Sequence, residues 1–287
     1  TKRCSNSWRY NLLFWCIMLG LGVGFYKLAG NEYPIGGFLP DQIGNLEMWL
    51  RLGNFTADQD DSAETTYSPP RTTGFTDGDR INKWTDLSGN GNHAVQTNSN
   101  FKPRVDTDIP GAVEWPSANS KFMDLESNSG SGFDINANTD FTAIVRFRAL
   151  STSQNALFGD TTGEFLRIVT NSRIRLKING GTNRNFDLPS GTFQTDTFYT
   201  IILVRSNGST GTNEMYIKCG TYTAASGTQF TGSNLDDPSG PITVSNIGAS
   251  ANEENEFHGW MKDVIIYNGT AVTAEQRELL FNYIESQ

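Results

Sequence analysis

The stretch DLSGNGNHA, Asp86 to Ala94, sets two glycines among small polar residues and comes nearest in this chain to a chemical motif. As a calcium loop, Asp86, Ser88 and Asn90 would take positions 1, 3 and 5 with Gly91 at 6. Position 12 is then Thr97 rather than a bidentate glutamate, and the flanks lack a helical pattern. As a phosphate cradle the stretch lacks the P-loop lysine and a following helix. The reading that remains is a structural turn, in which Asp86, Asn90 and Asn92 cap backbone groups while Gly89 and Gly91 take left-handed conformations.

Paired carboxylates are the other chemistry to look for. Glycoside cleavage needs an acid and a nucleophile set about 5 Å apart, as two carboxylates on one strand face provide. NEENEFHG places Glu254 and Glu256 two apart, but no aspartate lies between them and the segment precedes the final strand like a turn. A turn does not hold two carboxylates on one strand face, so the chain reads as non-catalytic. Asp58, Asp60 and Asp61 are calcium candidates by charge alone, and a solvated acidic loop explains them better. No cofactor is expected otherwise. Trp84, Trp115, Trp260, Tyr67 and Tyr222 could act as sugar platforms, although aromatics at strand period generally build core. No ligand-binding residue is singled out. Sequons stand at Asn54, Asn207 and Asn268.

Charge narrows the partners. Lys2, Arg3, Arg9 and Lys27 precede the first acid, Glu32; without these four cations, the total of −9 becomes −13 for residues 31–287. A body this acidic repels phosphate backbones, so no nucleic-acid partner is expected. Cys4, Cys16 and Cys219 form neither a disulfide framework nor a zinc pattern, and His93 and His258 are too few for a multi-histidine metal centre.

The elements that must position any site are strands. LEMWLRL alternates Leu46, Met48, Leu50 and Leu52 against Glu47, Trp49 and Arg51, a period of two with one face in a core. FTAIVRFRAL repeats this with Phe141, Ala143, Val145 and Phe147. FLRIVT, IRLKING, FYTIILVRS, NEMYIKCG and MKDVIIYN follow, with INGGTN and RSNGSTGTNE as hairpin connections. Strands at this spacing without intervening helices indicate an antiparallel sandwich. At the end, Thr273 and Gln276 stand in capping-box spacing, and Leu279, Leu280, Tyr283 and Ile284 share one face of a helix that should dock on the sandwich.

WTDLSGNGNHAVQ, GAVEWPSANSKFMDL, FTAIVRFRA and FHGWMKDVIIYNGTAVTAEQRELLFNYI together resemble the laminin-G-like jelly roll of the concanavalin A-like lectin/glucanase superfamily, in family order over about residues 40–287. The resemblance implies an all-β, antiparallel two-sheet jelly-roll sandwich with a short C-terminal helix. Laminin-G-like relatives sometimes hold calcium at a sandwich edge. The opening GGFLPDQIGNLEMWLRL resembles tailed-phage virion proteins that decorate capsids or sit on fibres and appendages.

Two domains are expected, an N-terminal extended arm over 1–37 and the sandwich over 38–287. Residues 12–26 run uncharged behind three basic residues, the layout of a signal or short anchor, while a start at Met18 would leave a glycine-rich leader. Gly30 to Gly37, with Pro34, reads as a linker. The expected function is a non-catalytic virion structural protein whose lectin-like sandwich can contact cell-surface glycans. Its arm would dock on neighbouring virion subunits, and a homo-oligomer is compatible with this. The alternative is a secreted or membrane-tethered microbial carbohydrate-binding module at the cell surface.

Overall fold

A computed structural model describes residues 24–28, 31–35, 38–58, 73–116, 121–127, 130–135, 139–151, 155–160, 163–176, 184–195, 197–206, 212–219, 242–250 and 255–287. The chain divides into two compact units, Thr1–Gln42 and Ile43–Gln287. In the first, β1 (Gly24–Leu28) pairs antiparallel with β2 (Asn31–Ile35), and a 3-10 turn follows at Pro40–Gln42. This corrects the linker expected over residues 30–37, since Asn31–Ile35 is strand. Pro34 is admitted because each strand of a two-stranded ribbon keeps one open edge, where a missing N–H costs no ladder bond. The readings of residues 1–23 as arm, leader or anchor, and of Met18 as a start, lie outside the described residues. No helix among the described residues is long and apolar enough to cross a membrane.

The second unit opens with β3 (Leu46–Asp58), β4 (Arg80–Asp86), β5 (Ala94–Val95), β6 (Arg104–Val105) and β7 (Val113–Trp115). Next come β8 (Met123–Ser127), β9 (Gly130–Ser131), β10 (Phe133–Ile135), β11 (Phe141–Ala149) and β12 (Asn155–Asp160). It continues through β13 (Gly163–Thr170), β14 (Arg173–Leu176), β15 (Arg184–Asp187), β16 (Tyr199–Ser206) and β17 (Thr212–Cys219). Finally β18 (Ile242–Ile247), β19 (Gly259–Asn268) and the helix α1 (Ala274–Glu285) close the chain.

All pairings are antiparallel. One layer runs β17–β16–β11–β19–β3. The other runs β15–β14–β13–β12–β18–β8–β5–β4. The long β3 serves both, pairing through Leu46–Leu50 with β19 and through Phe55–Asp58 with β4. Its register breaks between Leu50 and Phe55, where Gly53 has φ +69°. The expected hairpins are present as the β14–β15 and β16–β17 pairs, whose connecting residues 177–183 and 207–211 lie outside the described residues.

The strand alternation read from sequence builds the core. Phe141, Ala143, Val145 and Phe147 of β11 meet Tyr199, Ile201 and Leu203 of β16, Val264 and Ile266 of β19, and Trp84, Trp115 and Phe158 in one buried cluster. Gly248 makes the packing possible at one point. Its φ is +84°, and a Cβ there would stand 2.4 Å from the Trp115 Nε1, so only glycine lets the indole close.

On the opposite side of the same strands, Trp49, Ile144, Ile202, Ile265 and Tyr267 are also buried. The helix α1 covers this outer face, burying Leu280, Phe281, Tyr283 and Ile284. Leu279, expected on that face, lies half-buried at its margin, and Phe281 takes its place in the stripe. Trp49 meets Tyr283 edge-on at 6.0 Å between ring centroids. The capping box forms: Thr273 Oγ1 accepts from the Gln276 amide at 3.2 Å, and Gln276 Oε1 accepts from the Thr273 amide at 2.9 Å. At the far end Glu285 pairs with Arg146 and accepts from Thr200 Oγ1 at 2.6 Å.

Candidate functional site

The Asp86–Ala94 loop ties β3 to β4. Asp86 Oδ1 accepts from the amides of Trp49 at 2.8 Å and Ser88 at 2.9 Å, while Oδ2 accepts from the Asn92 amide at 2.9 Å and lies 2.7 Å from Ser88 Oγ. The carboxylate that a calcium reading needs as its first ligand is therefore filled by protein donors. Asn90 Nδ2 donates to the Leu46 carbonyl at 2.8 Å, and Asn92 Nδ2 donates to the Glu47 carbonyl at 2.8 Å. Gly89 and Gly91 have φ +91° and +80°. His93 Nδ1 accepts the Asp86 amide proton at 3.0 Å, which requires the neutral ring; burial, then the Lys83 charge, lowers its pKa against the raising pull of Asp86 and Glu126. These bonds make the loop a backbone knot that ties β4 to β3.

Strand register assembles a different set of residues. Arg80 on β4 stands opposite Arg104 on β6, Arg104 opposite Glu114 on β7, Glu114 opposite Trp260 on β19, and Trp260 opposite Arg148 on β11. Their neighbours Ile81, Val105, Val113, Met261 and Phe147 point into the core cluster, so the five side chains line the outer face in one row across five strands. Trp260 is 8% exposed, with the Arg148 guanidinium 4.7 Å from its ring centroid. Its Nε1 donates to Asp106 Oδ2 at 2.7 Å, and Asp106 Oδ1 accepts from the Asp108 amide at 2.8 Å. Glu114 has its pKa raised by burial first and then by Asp106, with Arg104 opposing and Asp77 adding to the rise. Lys121, buried near Arg104 and Arg80, has its pKa lowered to about 8, chiefly by burial and then by those two cations.

A family model described as the concanavalin A-like lectin/glucanases superfamily, of laminin G type, matches residues 119–276, more than half of the chain. The chain belongs to this superfamily. The match begins beyond the DLSGNGN segment and beyond the first three members of the row, which enter the superfamily sandwich through β4, β6 and β7. Among solved structures, one similar chain is an arabinofuranosidase complexed with arabinofuranosyl-alpha-1,2-xylobiose, at 11% identity over 79% of this chain and 59% of that one, with TM-score 0.50. Another is the binding domain of Paraclostridial Mosquitocidal Protein 1, at 13% identity over 84% and 52%, with TM-score 0.47. This chain spans about half to three fifths of their lengths, and at 11% identity the likeness to the arabinofuranosidase is one of fold alone. No curated protein matches the sequence.

Within this superfamily sandwich the aromatics read as sugar platforms divide sharply. Trp84 and Trp115 are fully buried in the core, 6.2 Å apart between centroids, and cannot meet a ligand. Trp260 lies on the outer face within the row, held between Arg148 and Asp106. Tyr67 and Tyr222 lie outside the described residues, as do Asp60, Asp61, Glu254 and Asn207; the side chains of Asp58 and Cys219 do as well. Glu256 is half-buried before β19. Asn54 donates to the Thr85 carbonyl at 3.2 Å and Asn268 to the Asp134 carbonyl at 2.8 Å. Sequence reasoning missed Arg80, Arg104, Glu114 and Arg148, because a row across strands leaves no spacing along the chain.

Proposed function

We propose that this protein is a non-catalytic structural subunit of a virion, decorating a capsid or appendage, whose sandwich contacts glycans through the Arg80–Arg104–Glu114–Trp260–Arg148 row. The observation that carries the glycan reading is the row itself. Half-buried guanidinium and carboxylate groups beside an indole offer the planar donors, acceptors and aromatic edge that sugar hydroxyls and C–H faces require. Membership of the lectin/glucanase superfamily supports it. The non-catalytic reading is supported by Asp106, the acid whose charge raises the Glu114 pKa most, since its two oxygens accept from Trp260 Nε1 and the Asp108 amide. A nucleophile for glycoside cleavage needs a free oxygen facing the anomeric carbon.

The virion reading is supported by the resemblance of GGFLPDQIGNLEMWLRL to such proteins, with residues 1–37 docking on a neighbouring subunit. A printed glycan array probed with the full chain tests the first part, with binding expected for wild type and lost in Arg148→Ala. Binding that survives Arg148→Ala, Arg104→Ala and Glu114→Ala together would place the contact elsewhere. Copurification of the chain with particles tests the second, and its recovery only in culture supernatant or detergent-extracted membrane would favour the secreted or tethered module.

A further inference from the structure

The three arginines of the row differ in what faces them. Register sets Arg80 between Asp58 of β3 and Arg104 of β6, and Arg104 between Arg80 and Glu114. Arg148 faces Trp260 on β19, and it lies one residue past Phe147, where the pairing of β11 with β16 ends. Among the described residues its guanidinium meets the Trp260 ring, 4.7 Å from the centroid, and no carboxylate. Its Nε is enclosed without an acceptor. The side chain is half-buried, so the part turned to solvent is the Nη end, whose two groups bond to no described residue.

The indole beneath is fixed in place. Trp260 is 8% exposed, and its Nε1 donates to Asp106 Oδ2 at 2.7 Å. A sugar could stack on this ring only by displacing the guanidinium that lies over it. Neighbours on the same outer face are cationic or apolar: Arg146 and Lys262 both approach Phe198, at 5.5 and 5.0 Å from its ring centroid. The acids close by are engaged within the fold. Glu285 pairs with Arg146 and accepts from Thr200 Oγ1, Asp263 is fully buried, and Asp106 accepts from Trp260 Nε1 and the Asp108 amide. Burial first and then Arg146 lower the Lys262 pKa against the smaller raising pull of Asp263, so these two neighbours leave a positive balance there.

We infer that Arg148 is the residue of the row that recognises a carboxylate, that of a uronic acid unit in the bound saccharide, and that Trp260 is a positioning residue that holds its guanidinium. A guanidinium carries donors only, so its ligand must bring acceptors, and the two Nη groups match the two oxygens of a carboxylate. The inference rests on the glycan reading of the row and narrows it to uronate-bearing sugars.

Titration calorimetry on the full chain tests it, with trigalacturonate against its methyl ester and cellobiouronate against cellobiose. At least one acid should bind roughly tenfold or more tightly than its neutral partner, as charge-assisted hydrogen bonds allow. Arg148→Gln, which keeps an amide donor without the charge, should bring that ratio to about one. Trp260→Leu should reduce the ratio while sparing the neutral partner, and Trp260→Phe, with a ring still under the guanidinium, should restore it. Asp106→Ala, which releases the indole, supplies the same reading if Trp260→Leu does not fold. Equal affinity of wild type for acidic and neutral probes overturns the carboxylate site and leaves the glycan reading standing. Loss of both probes in equal proportion in Trp260→Leu would make the indole a sugar platform and overturn its positioning role. If neither pair binds, the glycan array decides: bound spots without a carboxylate overturn the site, carboxylate-bearing spots lost in Arg148→Gln uphold it, and a blank array overturns the glycan reading as well.

Discussion

Replacing Asp86 by alanine separates a backbone knot from a metal loop. The Asp86 side chain is 6% exposed and its carboxylate accepts the amides of Trp49, Ser88 and Asn92, with Ser88 Oγ beside them. Trp49 and Asn92 are themselves buried, so their amides lose their acceptor without gaining water. Each such orphaned donor costs about 1–3 kcal/mol, and the Ser88 amide, half-exposed, costs less; Asp86→Ala should therefore lose about 4 kcal/mol. Asp86→Asn keeps one accepting oxygen but turns an NH2 toward backbone donors, and should lose about half as much. Guanidinium unfolding of the full chain reads both as midpoint shifts at unchanged slope. A loss below about 1 kcal/mol for Asp86→Ala would refute the knot. So would calcium that stabilises wild type and not the variant, since the carboxylate would then be a ligand.

Acid should weaken the same knot. Burial lowers the pKa of His93 and of His258 from the usual 6.5, so the unfolded chain takes up protons first as pH falls. The stability they support is complete above that value and declines through the lower folded-state pKa values; urea midpoints between neutral and acidic pH should show this slope, flattened in the His93→Gln, His258→Gln double variant. Gly248→Ala forces a left-handed alanine and a Cβ 2.4 Å from Trp115 Nε1, so thermal melting should report a loss of about 3 kcal/mol or more. For the helix, Thr273→Ala should cost about 1 kcal/mol through the lost cap, against about 3–5 kcal/mol for Trp49→Ala beneath Tyr283. Denaturant titrations that rank these two variants the other way would mean that local capping, not docking, holds α1.

How far the sequence discloses this molecule depends on the direction in which each feature runs. Along a strand the side-chain period is two, so the core residues of β11 at Phe141, Ala143, Val145 and Phe147 are legible, as are the Thr273 cap and the DLSGNGN turn. Trp49 is legible only by half: its position opposite the leucines is visible, while its burial needs the helix that arrives more than two hundred residues later. The linker over residues 30–37 was misleading because glycine and Pro34 mark a turn and an open strand edge alike. Two-residue strands such as β5 and β6 carry no period at all.

The row lies beyond any such reading, because Arg80, Arg104, Glu114, Arg148 and Trp260 become neighbours only through registers set by residues on the other face of each strand. That same separation bears on its purpose. The core-facing residues Ile81, Val105, Val113 and Met261 fix the register by burial, and they would do so whatever stood outside them. On that outer face register sets Arg80 of β4 between Asp58 of β3 and Arg104 of β6, as it sets Arg173 against Asp187 on β14 and β15. The outer side chains of the row are therefore not needed to set the register, which leaves their chemistry open to the glycan contact proposed for them.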